Sequence, residues 1–265
     1  MNFLRHYLLA LQFFTRIPVT GKLAQWVGYS PAMLRASAAH FPGVGWLVGA
    51  MVAGASALLF MSLQPSAYVP LVVAVLGTAL GVWLTGAFHE DGLADVADGL
   101  GGSPERDRAL IIMKDSRVGA FGVLAVVLML LAKVSLLALI GSINEAVMCL
   151  GLFAAHVVSR MLPLVLIRAM PHVGDVATTK SKPLADQISP GSLSVACLWT
   201  FSALALVYYM DNGINLIAPV LAATLALLWM WRLFWRRLQG FTGDCLGATQ
   251  QVCELAFYLG LALTL

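Results

Sequence analysis

Runs of about twenty apolar residues, repeated along most of the chain, constrain this sequence more than any other feature. Crossing a hydrocarbon layer as an α-helix takes about 20 mostly apolar residues. Such runs fall at approximately 41–63, 67–88, 119–141, 145–168, 192–210, 214–231 and 249–265. Only 11% of the 265 residues are charged and 60% are hydrophobic, against about 25% charged in a soluble globular domain. The expected fold is all-α: a polytopic integral membrane protein with about seven transmembrane helices, forming one membrane-embedded domain over residues 1–265. Its partner by composition is the lipid bilayer. A net charge of +3 gives no reason to expect nucleic acid.

The N-terminal "MNFLRHYLLALQFFTRIP" spaces Phe3, Leu4, Tyr7, Leu8, Leu11 and Phe14 as one helical face, with Arg5, Gln12 and Arg16 elsewhere on the wheel. No small-residue cleavage site follows, so an amphipathic helix lying in the membrane interface is expected rather than a signal peptide. The four cysteines show no zinc or redox spacing and read as small apolar fillers.

Three long polar loops separate the runs, at about 89–118, 169–191 and 232–248. Positive charge gathers in the N-terminal region (Arg5, Arg16, Lys22, Arg35) and beside those loops: Arg106, Arg108, Lys114 and Arg117; Arg160, Arg168, Lys180 and Lys182; Arg232, Arg236 and Arg237. The short links near "QPSA", "GSINE" and "MDNGIN" carry none. Excess Lys and Arg mark the cytoplasmic side, so the N-terminus is expected inside and the C-terminus outside. Trp229, Trp231 and Trp235 beside arginines suit an interfacial belt. Lys133, in mid-span, is expected to snorkel or to pair internally. Glu254, inside the last run, is expected to face the bundle interior or a polar cavity.

Seven of the thirteen acidic residues lie between Glu90 and Asp115. In "HEDGLADVADG", residues 89–99, Asp91, Asp95 and Asp98 are spaced i, i+4, i+7. On a helix they fall within about 60° of one another, whereas Glu90 points elsewhere. Three carboxylates so placed repel unless a cation lies between them. Hard oxygen donors select Mg²⁺ or Mn²⁺, which complete their shell with water and phosphate oxygens. Gly92 and Gly99 on this helix are expected to leave room for a ligand against the backbone. Downstream, Ser103-Pro104-Glu105 reads as a helix start with Ser103 as N-cap. Arg108, Lys114 and Arg117 follow around Asp115. An acid cluster followed by a basic cluster suits a metal-diphosphate site, the cation neutralising phosphate and the bases holding it. No P-loop and no HExxH occurs. His89 is a weaker candidate for substrate contact, as are Arg16 and Arg160. In "GFTGDCLGA", Asp244 sits among glycines suited to a tight turn against a ligand.

"HEDGLADVADG", "IMKDSRVGAFG" and "GFTGDCLGA", in this order on a polytopic chain, resemble the cobalamin synthase family, the adenosylcobinamide-GDP ribazoletransferases. "FFTRIPV" and "FPGVGWLVGA" extend the resemblance over nearly the whole chain. It implies an Mg²⁺-dependent phosphotransferase of the bacterial inner membrane with its site facing the cytoplasm. The 3′-hydroxyl of α-ribazole, or of its 5′-phosphate, attacks adenosylcobinamide-GDP and GMP leaves. On these positions Asp91, Asp95 and Asp98 are the expected metal ligands, and Asp115, Asp98 and Arg117 the catalytic set. Arg108, Lys114, Arg117 and Asp244 are expected to bind substrate, with His89, Arg16 and Arg160 less directly. Self-association and contact with other cobalamin-assembly enzymes are compatible with this reading. Two alternatives stand beside it. "DVADG" also resembles the opening of the CDP-alcohol phosphotransferase motif, and an acidic cluster in a membrane protein can serve a cation transporter.

Overall fold

The structure, a computed structural model, describes residues 2–174 and 187–265. Every regular element among them is a helix, joined by one isolated parallel bridge between His172 and Phe241. Lys180 and Lys182 of the third basic group lie outside the described residues.

The chain enters through α1 (Asn2–Phe14), which buries Leu9, Ala10, Leu11 and Phe14 and leaves Phe3 and Leu4 exposed. Two short helices follow, α2 (Gly21–Val27) and α3 (Pro31–Ser37). The second begins where Ser30 accepts the Met33 N–H and Pro31 opens the first turn. α4 (Phe41–Ser62) then packs along α9 (Glu145–Ala169), the most enclosed helix of the bundle. Their approach depends on Gly45 and Gly49. A Cβ on Gly49 would stand 3.0 Å from the Phe153 carbonyl oxygen, and one on Gly45 would overlap the His156 backbone. Small residues four apart let two backbones meet in the absence of water.

α5 (Val69–Thr85) and α8 (Ala120–Ile143) pack together, and α8, α10 (Pro190–Met210) and α11 (Ile217–Arg237) expose much apolar surface, as lipid-facing helices do. α12 (Gly243–Ala262) is different. Its neighbours α11, α6 (Phe88–Gly102), α9 and α8 enclose it, so its polar Thr249, Gln250, Gln251 and Glu254 face protein rather than lipid. Five described helices are long and apolar enough to cross a membrane, or six if the bent α5–α6 pair counts as one span.

That bend positions the site. α5 stops at Gly86 and Ala87, both left-handed at φ 67° and 58°, and α6 leaves at 89° to it. Gly86 suits the left-handed cap at the end of α5; Ala87 adopts that conformation against its preference. A Cβ on Gly86 would also overlap the Arg16 side chain, which lies across the bend. The acid-bearing helix therefore runs across the end of the bundle rather than through it. The short α7 (Arg106–Ile112) starts two residues later than the Ser103 cap predicts. The Ser103 hydroxyl instead accepts the Glu105 N–H at 3.1 Å, and its own N–H closes α6 onto the Gly99 carbonyl.

Candidate active site

α6 buries Leu93, Val96 and Glu90, exposes Asp91, leaves Asp95 half-buried and buries Asp98. It crosses the start of α12 at two glycines. A Cβ on Gly92 would stand 2.8 Å from the Asp244 carbonyl oxygen, and Gly247 lies against the His89 and Gly92 backbones. This crossing brings Asp244 beside the acid face of α6. Burial and the charges of Asp244, Asp91 and Asp98 together push the Asp95 carboxyl up to about 7. The Thr242 hydroxyl donates to Asp244 Oδ2 at 3.3 Å. Four carboxylates at one end of the bundle thus share one electrostatic site.

The glycines on α6 do not leave space for a ligand, as the sequence suggests. Gly92 is filled by the α12 backbone, and Gly99 by Met113 and the Ala109 carbonyl of α7. Their smallness serves helix packing.

Asp98 has a second task. Its carboxylate accepts the Gly119 N–H at 2.6 Å and the Gly122 N–H at 2.8 Å, satisfying donors at the start of α8. A negative charge there is favoured by the helix dipole. The contact also places the turn carrying Asp115 and Arg117, two residues before Gly119, next to α6. In that turn Arg117 pairs with Asp115, Nη2 to Oδ2 at 2.6 Å and Nε to Oδ1 at 3.0 Å. The guanidinium holds the Asp115 carboxyl down at about 2. So weak a base suits a cation ligand or an orienting acceptor better than proton abstraction. The Arg117 side chain is 87% exposed, and an ion pair so open to water contributes little to stability. A phosphate can therefore compete for the guanidinium. Arg108 and Lys114 are exposed on α7 and just after it.

His89 and Arg160 are both enclosed by the bundle. His89 is buried, stacked on Phe41 at 5.7 Å. Arg160 is a loop-side cation by sequence position, but the structure buries it inside the bundle. It donates there to the His156 ring and carbonyl at 2.9 and 2.8 Å. Arg16 is exposed at the α5–α6 bend. Lys133 is internally paired rather than snorkelling, and Glu254 faces the bundle interior, the two 2.6 Å apart. One contributor escaped sequence reasoning. Arg237 donates to the Leu100 and Ser103 carbonyls at 3.1 and 2.6 Å, capping the far end of α6. A basic residue near a helix C-terminus is the usual signal for such a cap, but here it comes from a distant helix.

A family model described as Cobalamin-5-phosphate synthase matches residues 6–262. The chain belongs to that family. Among similar proteins, the adenosylcobinamide-GDP ribazoletransferase of Albidiferax ferrireducens is 64% identical, with all of this chain and 99% of that protein covered. The proteins of the same name from Polaromonas naphthalenivorans and Leptothrix cholodnii are 62% and 46% identical. The first match covers 100% of both chains, the second 97% of this chain and 94% of the relative. No solved structure matches. For a cobalamin-5-phosphate synthase family member, a divalent cation has to suit the residues present. The donors are carboxylates, hard oxygens without competing sulfur. Among the described residues no three His, Cys, Asp or Glu side chains close into a metal cage. Mg²⁺ does not need one, since it commonly takes one or two protein carboxylates and completes its shell with water and substrate phosphates. The donor set fits.

Proposed function

We propose that this protein joins adenosylcobinamide-GDP to α-ribazole, or to its 5′-phosphate, with release of GMP. The observation that carries this is the meeting of Asp91, Asp95 and Asp98 on α6 with Asp244 on α12, in a chain that matches ribazoletransferases over its full length. Asp91, Asp95 and Asp244 would hold Mg²⁺, which when bound neutralises the diphosphate and the departing GMP. Asp98 fixes the start of α8 and adds its charge to the site. Arg117, with Arg108 and Lys114, binds phosphate oxygens, the planar guanidinium taking two at once. The ribazole 3′-hydroxyl attacks the cobinamide-proximal phosphorus and forms the new P–O bond, its proton passing to solvent, while the P–O bond from that phosphorus to GMP breaks and GMP leaves with the bridging oxygen.

The membrane arrangement proposed with this activity has seven spans, with α5 and α12 added to the five apolar helices. α12 qualifies because its neighbours shield its polar face. α1 lies in the interface, and the site faces the cytoplasm of the inner membrane, the N-terminus on the same side. Purified protein in liposomes, given adenosylcobinamide-GDP, ribazole 5′-phosphate and Mg²⁺, should release GMP only when ribazole is present. Chelation of Mg²⁺ should stop it. GMP release without ribazole, or none under any condition, would refute the assignment.

A further inference from the structure

Besides Asp98, four charged side chains are closed off from solvent inside the bundle. Glu90 is 8% exposed, Lys133 5%, Arg160 1% and Glu254 1%. Their signs balance, two against two. Lys133 and Glu254 pair directly at 2.6 Å. Glu90 and Arg160 form no direct ion pair among the described residues, but each lies within electrostatic reach of the other.

Glu90 is reached instead by a chain of amides. Gln250 Nε2 donates to Glu254 Oε2 at 2.8 Å and to Ser159 Oγ at 2.9 Å. Gln251 Nε2 donates to Gln250 Oε1 at 2.9 Å and to Glu90 Oε1 at 3.1 Å. Each amide nitrogen has two hydrogens and both are used, so the orientation of the chain is fixed. It runs from Lys133 on α8, through α12, to Glu90 on α6.

The buried side-chain atoms without a hydrogen-bond partner among the described residues include Glu90 Oε2, Arg160 Nε and His89 Nε2. The first is an acceptor and the second a donor, of opposite charge, on α6 and α9. A buried carboxylate or guanidinium without its counter-charge is strongly destabilising. Bridging water satisfies such a pair nearly as well as direct contact.

We propose that Glu90 and Arg160 form a water-bridged ion pair, and that Glu90 is thereby the positioning residue that fixes the rotation of α6. Turning α6 by one residue, about 100°, would pull Glu90 out of the amide chain and carry Asp91 inward. Glu90 thus sets the direction in which Asp91 and Asp95 face, without touching substrate. This rests on α6 being the cation-binding helix.

The test uses the full chain in detergent or liposomes, with Glu90→Gln, Arg160→Gln and the double variant. Each single change should lower Tm by roughly 6–20 °C, and the double variant should regain most of the loss. Glu90→Gln should also weaken Mn²⁺ binding and raise the Mg²⁺ needed for half-maximal activity severalfold, with a smaller loss at saturating Mg²⁺. A structural role alone would not move that ratio. Additive losses in the double variant would overturn the ion pair. Should Glu90→Gln fail to fold, a folded double variant supports the pair and an unfolded one refutes it. Wild-type Mn²⁺ affinity in a coupled Glu90→Gln variant would overturn the positioning role. The Tm cycle needs no substrate, so it decides the pair even if the enzymatic reading fails.

Discussion

Replacing Gly92 with alanine should displace the acid helix without removing any charged group. The new Cβ would stand 2.8 Å from the Asp244 carbonyl oxygen and 3.1 Å from its Cα, where ordinary contact begins at 3.4 Å. Those atoms are backbone at the start of α12 and cannot swing aside. The two helices must part by about 0.6 Å, the difference between 3.4 and 2.8 Å. Overpacking of this kind costs about 1–3 kcal/mol. Removing a glycine from a helix interior offsets about 1 kcal/mol of it, leaving a net loss of about 0–2 kcal/mol. Activity should suffer more than stability. A misplacement of about 1 Å can lower a rate about 10²-fold, so roughly half that shift should lower ribazole-dependent GMP release about tenfold. Gly247→Ala supplies the control. Its Cβ would meet the His89 backbone at 3.3 Å and Gly92 Cα at 3.5 Å, so turnover should stay near wild type. GMP release, Tm and membrane fractionation on the two variants decide the matter. Wild-type turnover in Gly92→Ala, or an equal loss in Gly247→Ala, would refute the close crossing of α6 and α12.

Arg117→Lys keeps the charge and loses the planar fork, so steady-state GMP release should fall while membrane insertion is unchanged; full activity would show that Arg117 does not hold phosphate. Lys133→Met leaves Glu254 buried without its partner and should destabilise the protein by about 3–5 kcal/mol. Replacing both Lys133 and Glu254 with methionine should recover much of this in thermal melts. A periplasm-active reporter fused after Ser142 or Gly213 should be active and one after Ser103 silent; the reverse would overturn the orientation.

The apolar runs and the polar-side pattern made the helices legible, because burial in lipid demands long uncharged segments. Helical spacing likewise puts Asp91, Asp95 and Asp98 on one face from the sequence alone. Gly86 is a usual signal for a helix end, but the turn of 89° was not legible, since alanine seldom takes the left-handed conformation found at Ala87. Gly92 and Gly99 misled for a related reason. A glycine shows that something approaches closely, but not whether it is a ligand or another helix. The partnership of Asp244 with α6, and the Arg237 cap on its far end, depend on contacts across more than a hundred residues that no local pattern encodes. The Ser103 hydroxyl has the chemistry of a helix cap, yet it bonds two residues on and α7 starts later.

The central claim is that carboxylates of α6 and α12 bind one divalent cation. Mn²⁺ titrated into the purified protein and followed by the EPR signal of the free ion tests it without substrate or turnover. Wild type should take up Mn²⁺ in competition with Mg²⁺. Asp95→Asn and Asp244→Asn should each weaken that uptake about tenfold or more, equivalent to at least about 1.4 kcal/mol. Mn²⁺ uptake in both variants indistinguishable from wild type would contradict the account.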